Sequence, residues 1–178
     1  MFWFKKKYDI DYLVKFYRNE VPNCNGLYLG NLWCFSDAEL EKTHDYIQWL
    51  FPLMEKSRYN SNAPVLDIVQ IMAINRDEIC RENMRMSIEV FLEFLGMSLT
   101  DNDEIYFNAD FLIKKENWLT KKNHNFKRIT RLMTFLKLFE FNDIANALMW
   151  ALDKIYKENE KIIGEKSYKY WKNAYDGF

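Results

Sequence analysis

The sequence predicts an all-α fold, a single-domain helical bundle of about seven to eight helices over residues 1–178. Three observations lead there. Only five Gly and three Pro occur in 178 residues, too few for the many tight turns of an all-β fold. Hydrophobic residues make up 49% and aromatic residues 17%, enough for one substantial core. A chain of this length buries roughly 70% of the surface its unfolded form exposes. Apolar residues recur at three- and four-residue spacing, and strand-like alternation is weak outside Gly26 to Trp33. No internal repeat or low-complexity linker divides the chain.

The elements follow in order. Asp9 to Asn19 reads as the first helix, with Ile10, Leu13, Val14 and Tyr17 at helical spacing. Pro22 to Gly30 is a loop. Ser36 opens the second helix: Ser36-x-x-Glu39 is a capping box, each side chain accepting from the other's backbone N–H. Pro52 stops that helix after Leu50 and Phe51. Tyr59 to Ala63 is polar, and Pro64, with no N–H to donate, suits the start of a short third helix. Asn75-x-x-Glu78 caps a fourth, whose Met84, Ile88, Phe91, Leu92 and Leu95 form a stripe that Gly96 ends. Thr100 to Asp103 is a polar connection, and Phe107 to Trp118 is a further helix. Asn123 precedes a strong one, with Ile129, Leu132, Met133, Leu136 and Phe139 on one face. Asn142 caps the next, which runs to about Asn159, and a last segment follows Gly164. There Tyr168, Trp171, Tyr175 and Phe178 line one side, suited to docking on the domain's own body. At the other end, Phe2, Trp3 and Phe4 beside Lys5, Lys6 and Lys7 are too short for an amphipathic membrane anchor.

Charge and cysteine usage exclude several classes. With 25 basic and 26 acidic residues the net charge is −1, whereas a dedicated nucleic-acid-binding domain carries a basic excess. Cys24, Cys34 and Cys80 are odd in number and include no Cys-x-x-Cys, so a disulfide framework is not expected and a reducing, cytoplasmic setting fits. The first residues do not form a signal peptide, and no apolar run approaches bilayer-spanning length.

Two segments hold most of the chemistry-bearing side chains: His44-Asp-Tyr-Ile-Gln-Trp-Leu-Phe-Pro52 and His124-Asn-Phe-Lys-Arg-Ile-Thr-Arg131. On a continuous second helix, Leu40, His44, Ile47 and Phe51 share a face, which makes His44 a core-directed histidine bonded to a neighbouring helix. Trp49 falls on a flanking face with Tyr46 and Lys42. In the second segment His124, Arg128, Arg131 and Phe135 share a face near a helix N-terminus. Two arginines there can hold a carboxylate or phosphate, or pair with acidic residues of another helix such as Glu41 or Asp45.

The usual catalytic patterns are incomplete. Glu41-x-x-His44 is half of a di-iron motif, but Lys121, not a glutamate, stands three residues before His124. No zinc-ligand spacing, Gly-rich phosphate loop or Gly-x-Ser-x-Gly elbow occurs. No catalytic residue, metal site or cofactor is therefore assigned. An enzymatic or small-ligand alternative needs His44 and His124 together in one pocket as an acid/base pair.

The two motifs resemble the conserved N-terminal region of the opioid growth factor receptor family. Leu40-Glu41, His44 and Tyr46-Ile-Gln-Trp-Leu-Phe-Pro52 are similar to its most recognisable block, and His124-Asn125 with Arg128-Ile-Thr-Arg131 to its second. Phe16-Tyr-Arg-Asn-Glu20, Gly26, Trp33, Asn62-Ala-Pro-Val-Leu66, Arg85, Ser87 and Phe91-Leu-Glu-Phe-Leu-Gly96 follow its order. The likeness covers residues 12–152. It implies a receptor for met-enkephalin acting in growth regulation at perinuclear and nuclear sites, and so a binding module rather than an enzyme. This shorter sequence carries none of the family's extended tail, so nuclear traffic and growth control are not expected of it.

On the resemblance, the expected ligand is a peptide or protein, enkephalin-like in that respect alone; nucleic acid is not expected, on the charge balance. It would lie in a groove near Trp49 and be held by His44, Gln48, Trp49, His124, Asn125, Arg128 and Arg131, with Arg128 or Arg131 taking its carboxylate. The structural alternative makes the two motifs a helix–helix lock.

Overall fold

A computed structural model describes residues 8–58 and 60–177. The Phe2–Trp3–Phe4 and lysine cluster and Phe178 lie outside the described residues. The fold is predominantly α-helical, as the composition predicts, with nine helices and one two-stranded sheet among the described residues. The chain divides into two compact units, residues 1–87 and 88–178, and the boundary falls inside one long helix.

The first unit opens with α1 (Ile10–Tyr17), capped by Asp9, whose carboxylate accepts from the Tyr12 amide at 2.8 Å. Leu13, Phe16 and Tyr17 form its buried side. Then comes α2 (Leu29–Trp33), where strand-like alternation pointed to extended chain. Local hydrogen bonds decide for helix there: Asn31 Oδ1 accepts from the Tyr28 amide at 2.9 Å, and Asn19 Oδ1 from the Gly30 amide at 2.8 Å.

The helix expected from Ser36 to Pro52 is two helices, α3 (Asp37–Lys42) and α4 (Tyr46–Leu50). The predicted Ser36–Glu39 capping box is present. Thr43 then turns extended and breaks the helix.

Pro64 does not start a helix. It precedes Val65, which forms an isolated bridge with Leu53. The next helix, α5 (Ile68–Arg76), starts at a capping box between Asp67 and Gln70. It packs against α1, and the Gln70 amide donates to the Tyr8 carbonyl at 3.1 Å. The following helix, α6 (Glu78–Phe94), is capped by Asp77, which accepts from the Cys80 amide at 3.0 Å; Asn75 lies inside α5. Arg18 at the end of α1 reaches the same carboxylate at 2.9 Å.

In the second unit α6 ends at Phe94, and Gly96, the predicted stop, follows two residues on with φ +81°. A hairpin follows: β1 (Met97–Leu99) and β2 (Ile105–Phe107) pair antiparallel, Ser98 opposite Tyr106. Strands of three residues are too short to show an alternation. The predicted polar connection, Thr100 to Asp103, is their turn, with Asp103 at φ 62°. The helix expected from Phe107 starts later, as α7 (Phe111–Trp118), because Phe107 belongs to β2. Its Trp118 is buried and donates to the Leu95 carbonyl at 3.1 Å. Glu93 binds Lys114 at 2.8 Å and Asn108 at 2.7 Å, fixing the corner between α6, the hairpin and α7.

The unit is completed by α8 (Asn125–Leu138) and α9 (Asn142–Asp176) packed along each other. The N-cap position of α9 is Phe141, one residue before the predicted Asn142. Its regular conformation breaks at Asn159 and Gly164, where the sequence places a helix end and a new segment. The second half folds back on the first: Tyr168 stacks on Tyr156 with centroids 3.9 Å apart and donates to Asp153 at 2.7 Å, and Tyr175 donates to Asn146 at 2.8 Å. Tyr168, Trp171 and Tyr175 thus dock on the chain's own body, as expected; Phe178 lies outside the described residues.

Candidate functional site

The first motif belongs to the first unit. The break between α3 and α4 overturns the helical phase assigned to His44, which is exposed rather than core-directed. A phase carries across a segment only while the helix is continuous. Asn25 supports the break, its amide donating to the Asp45 carboxylate at 2.6 Å. Gln48 is buried, and its amide nitrogen donates to the His44 and Asp45 carbonyls at 3.2 and 2.8 Å. Both carbonyls lie at the break and the start of α4, so the buried Gln48 amide is tied to the chain reversal before its own helix.

Trp49 is 0% exposed. Phe16 meets its ring edge-on at 4.8 Å and Tyr8 at 5.2 Å, and Tyr17 donates to its carbonyl at 3.1 Å. The expected groove beside Trp49 is therefore corrected: this indole is a core side chain of the first unit. Edge-to-face contacts of this kind add about 0.5–1.5 kcal/mol each beyond area burial.

The second motif forms the start of α8. Asn123, one residue ahead of the motif, does the capping: its Oδ1 accepts from the Asn125 backbone N–H at 2.8 Å, and its side-chain Nδ2 donates to Thr120 Oγ1 at 2.9 Å. His124 occupies the N-cap position in helical conformation and makes no side-chain capping bond. Asn125 is fully buried and Arg128 is 5% exposed; Arg128 Nη1 donates to Asn125 Oδ1 at 2.9 Å. Guanidinium groups stay charged inside proteins, so burying one demands fixed hydrogen-bond partners. Arg131, one turn further on, is half-buried, as is His124.

The structure thus groups Asn125, Arg128, Arg131 and His124 in the first two turns of one helix. Gln48 and Trp49 sit together in α4 of the other unit, with His44 in the break before them. Chemically, α8 combines cationic side chains with a helix N-terminus, an arrangement suited to a carboxylate. No cluster of three or more metal-ligating residues occurs among the described residues, and no described helix is long and apolar enough to cross a membrane.

Some apolar residues stand exposed, which the sequence analysis does not anticipate. On α5, Ile68, Val69 and Met72 are 58, 61 and 44% exposed. The signal was present: apolar residues occur all round this helix, whereas a surface helix with one buried face shows a single stripe. Leu112 and Ile113 on α7 are likewise exposed.

Comparison with known proteins adds a separate line of evidence. The family model of the opioid growth factor receptor conserved region matches residues 6–176, extending into the segment after Gly164. The mouse opioid growth factor receptor-like protein 1 is 31% identical over 127 residues, 69% of this chain and 27% of its own length. The human opioid growth factor receptor is 31% identical over 128 residues, 69% of this chain and 19% of its own length. The Xenopus tropicalis receptor-like protein 1 is 29% identical over 127 residues, 69% of this chain and 25% of its own length. The chain therefore matches about a quarter or less of these relatives. No solved structure matches it.

Proposed function

This chain belongs to the family defined by the opioid growth factor receptor conserved region, and on that premise we propose that it is a receptor-like, non-enzymatic binding module for a peptide or protein. The start of α8 is its recognition element. Arg131 and His124 form the contact surface for a ligand carboxylate, and the Asn125–Arg128 pair beneath fixes the turn that presents them. The observation that carries this reading is the buried Arg128–Asn125 bond at 2.9 Å beside half-buried Arg131. Binding sites work best when contact groups stand on side chains already locked in place. The relatives' names make opioid growth factor the first ligand to try, and met-enkephalin is the probe.

Titration with met-enkephalin, followed by two-dimensional NMR of the indole N–H groups, tests the proposal. Trp171 donates to the Phe126 carbonyl in the first turn of α8, so its signal reports on this element. Movement of that signal with saturation supports the reading. No shift at millimolar peptide removes met-enkephalin as the ligand.

A second reading, that the motifs are a framework, is favoured by burial of Gln48, Trp49, Asn125 and Arg128. Under it, replacing them lowers stability while the folded fraction binds as before. A cytoplasmic location is also proposed, supported by the three free cysteines. Fractionation of cells making the protein checks it.

A further inference from the structure

We propose that the segment after Gly164 is a strap that docks as one piece and, through Trp171, holds the first turn of α8, making Trp171 a positioning residue for the second motif. The inference concerns the conformation of α8 and stands whether or not the motif binds a peptide.

The strap has a hinge, anchors and a target. The hinge is the pair of breaks at Asn159 and Gly164; Gly164 has φ +75°, and a side chain there would meet nothing within 4 Å. The chain is therefore bent without being wedged by packing at the bend. Two anchors lie on the first half of α9: Tyr168 against Tyr156 and Asp153, and Tyr175 against Asn146. Lys137 of α8 also stands 5.2 Å from the centroid of the Tyr175 ring. The third anchor, Trp171, is fully buried and reaches α8.

Its target is specific. Trp171 Nε1 donates to the Phe126 carbonyl at 2.9 Å, with its ring edge-on to Phe126 at 5.7 Å. Thr130 Oγ1 donates to the same carbonyl at 3.0 Å. Helical pairing sends the Thr130 amide there as well. One carbonyl between Asn125 and Arg128 thus collects the helix's own bond, a side-chain bond and the strap's indole. First turns lack the full ladder of intrahelical bonds and open most readily, so a clamp there changes local opening more than it would in mid-helix.

Hydrogen exchange on the full chain and on Trp171→Phe tests this. Phenylalanine keeps an aromatic ring in place but has no N–H to donate. The expected result is faster exchange over residues 125–130 by about tenfold, with residues 142–158 unchanged. Unaltered exchange over 125–130 in Trp171→Phe overturns the proposal. So does a uniform rise across α8 and α9, which would make Trp171 an ordinary core residue. Tyr170→Phe, at an exposed position of the same segment, serves as the control expected to leave 125–130 unchanged.

Discussion

Replacing Arg128 by alanine separates a side chain that supports the turn from one that contacts a ligand. Arg128 is 5% exposed and bonds buried Asn125 at 2.9 Å. A buried hydrogen bond to a charged group is worth about 1.5–3 kcal/mol. The aliphatic stem of the arginine also packs, and its removal leaves a void of the kind that costs about 1 kcal/mol or more. A total near 3 kcal/mol follows, lowering Tm by about 6–12 °C for a chain of this size. Arg131, half-buried one turn on, should cost about 1 kcal/mol or less on the same change. Urea unfolding monitored by circular dichroism gives both values, and an Asn125→Ala, Arg128→Ala double-mutant cycle should return a coupling of about 1–2 kcal/mol. Equal destabilisation by the two arginine variants, or zero coupling, would refute the division between support and contact.

Other consequences are local. Gly96→Ala combines φ +81° with a Cβ placed 3.0 Å from Phe111 Cα, and should cost about 2 kcal/mol or more, whereas Gly26→Ala, at φ +77° in open space, carries the conformational cost of about 1–2 kcal/mol alone. Thermal unfolding of both variants gives the difference. Glu93 is held below the usual carboxylate range by its hydrogen bond to Lys114, against the opposing effect of desolvation. Its stabilisation is therefore present above the unfolded value of about 4.3 and fades as pH falls through the lower folded value; Glu93→Gln should flatten part of the acid limb of a stability profile. The Cys80 thiol is pushed up to about 12 by burial, so Cys24 and Cys34, both exposed, should react with a thiol reagent at pH 8 while Cys80 waits for unfolding.

The sequence made visible what depends on neighbouring residues. The Ser36–Glu39 capping box, the stop at Gly96, the apolar face of α8 and the breaks near Asn159 and Gly164 all rest on contacts within a few positions. The break at Thr43 was hidden, because the side chains that hold it, Asn25 and Gln48, act on backbone geometry that periodicity does not encode. His44 was misplaced for that reason alone. The start of α5 was missed because Pro64 was a stronger sign than the Asp67–Gln70 pair three residues on. Of the candidate site, the grouping on α8 was legible from helical phase. The depth of Trp49 and Arg128 was not, since burial follows from what the rest of the chain stacks against them. Helical phase places Trp171 against its own domain but cannot name its acceptor, the Phe126 carbonyl, which lies 45 residues away.

Calorimetric titration of the native chain with met-enkephalin and with its C-terminal amide tests recognition at α8 most directly. If Arg131 and His124 receive a carboxylate, the free acid binds, the amide binds at least tenfold more weakly, and Arg131→Ala abolishes the difference without unfolding the protein. Equal affinity for acid and amide, retained in Arg131→Ala, would contradict it.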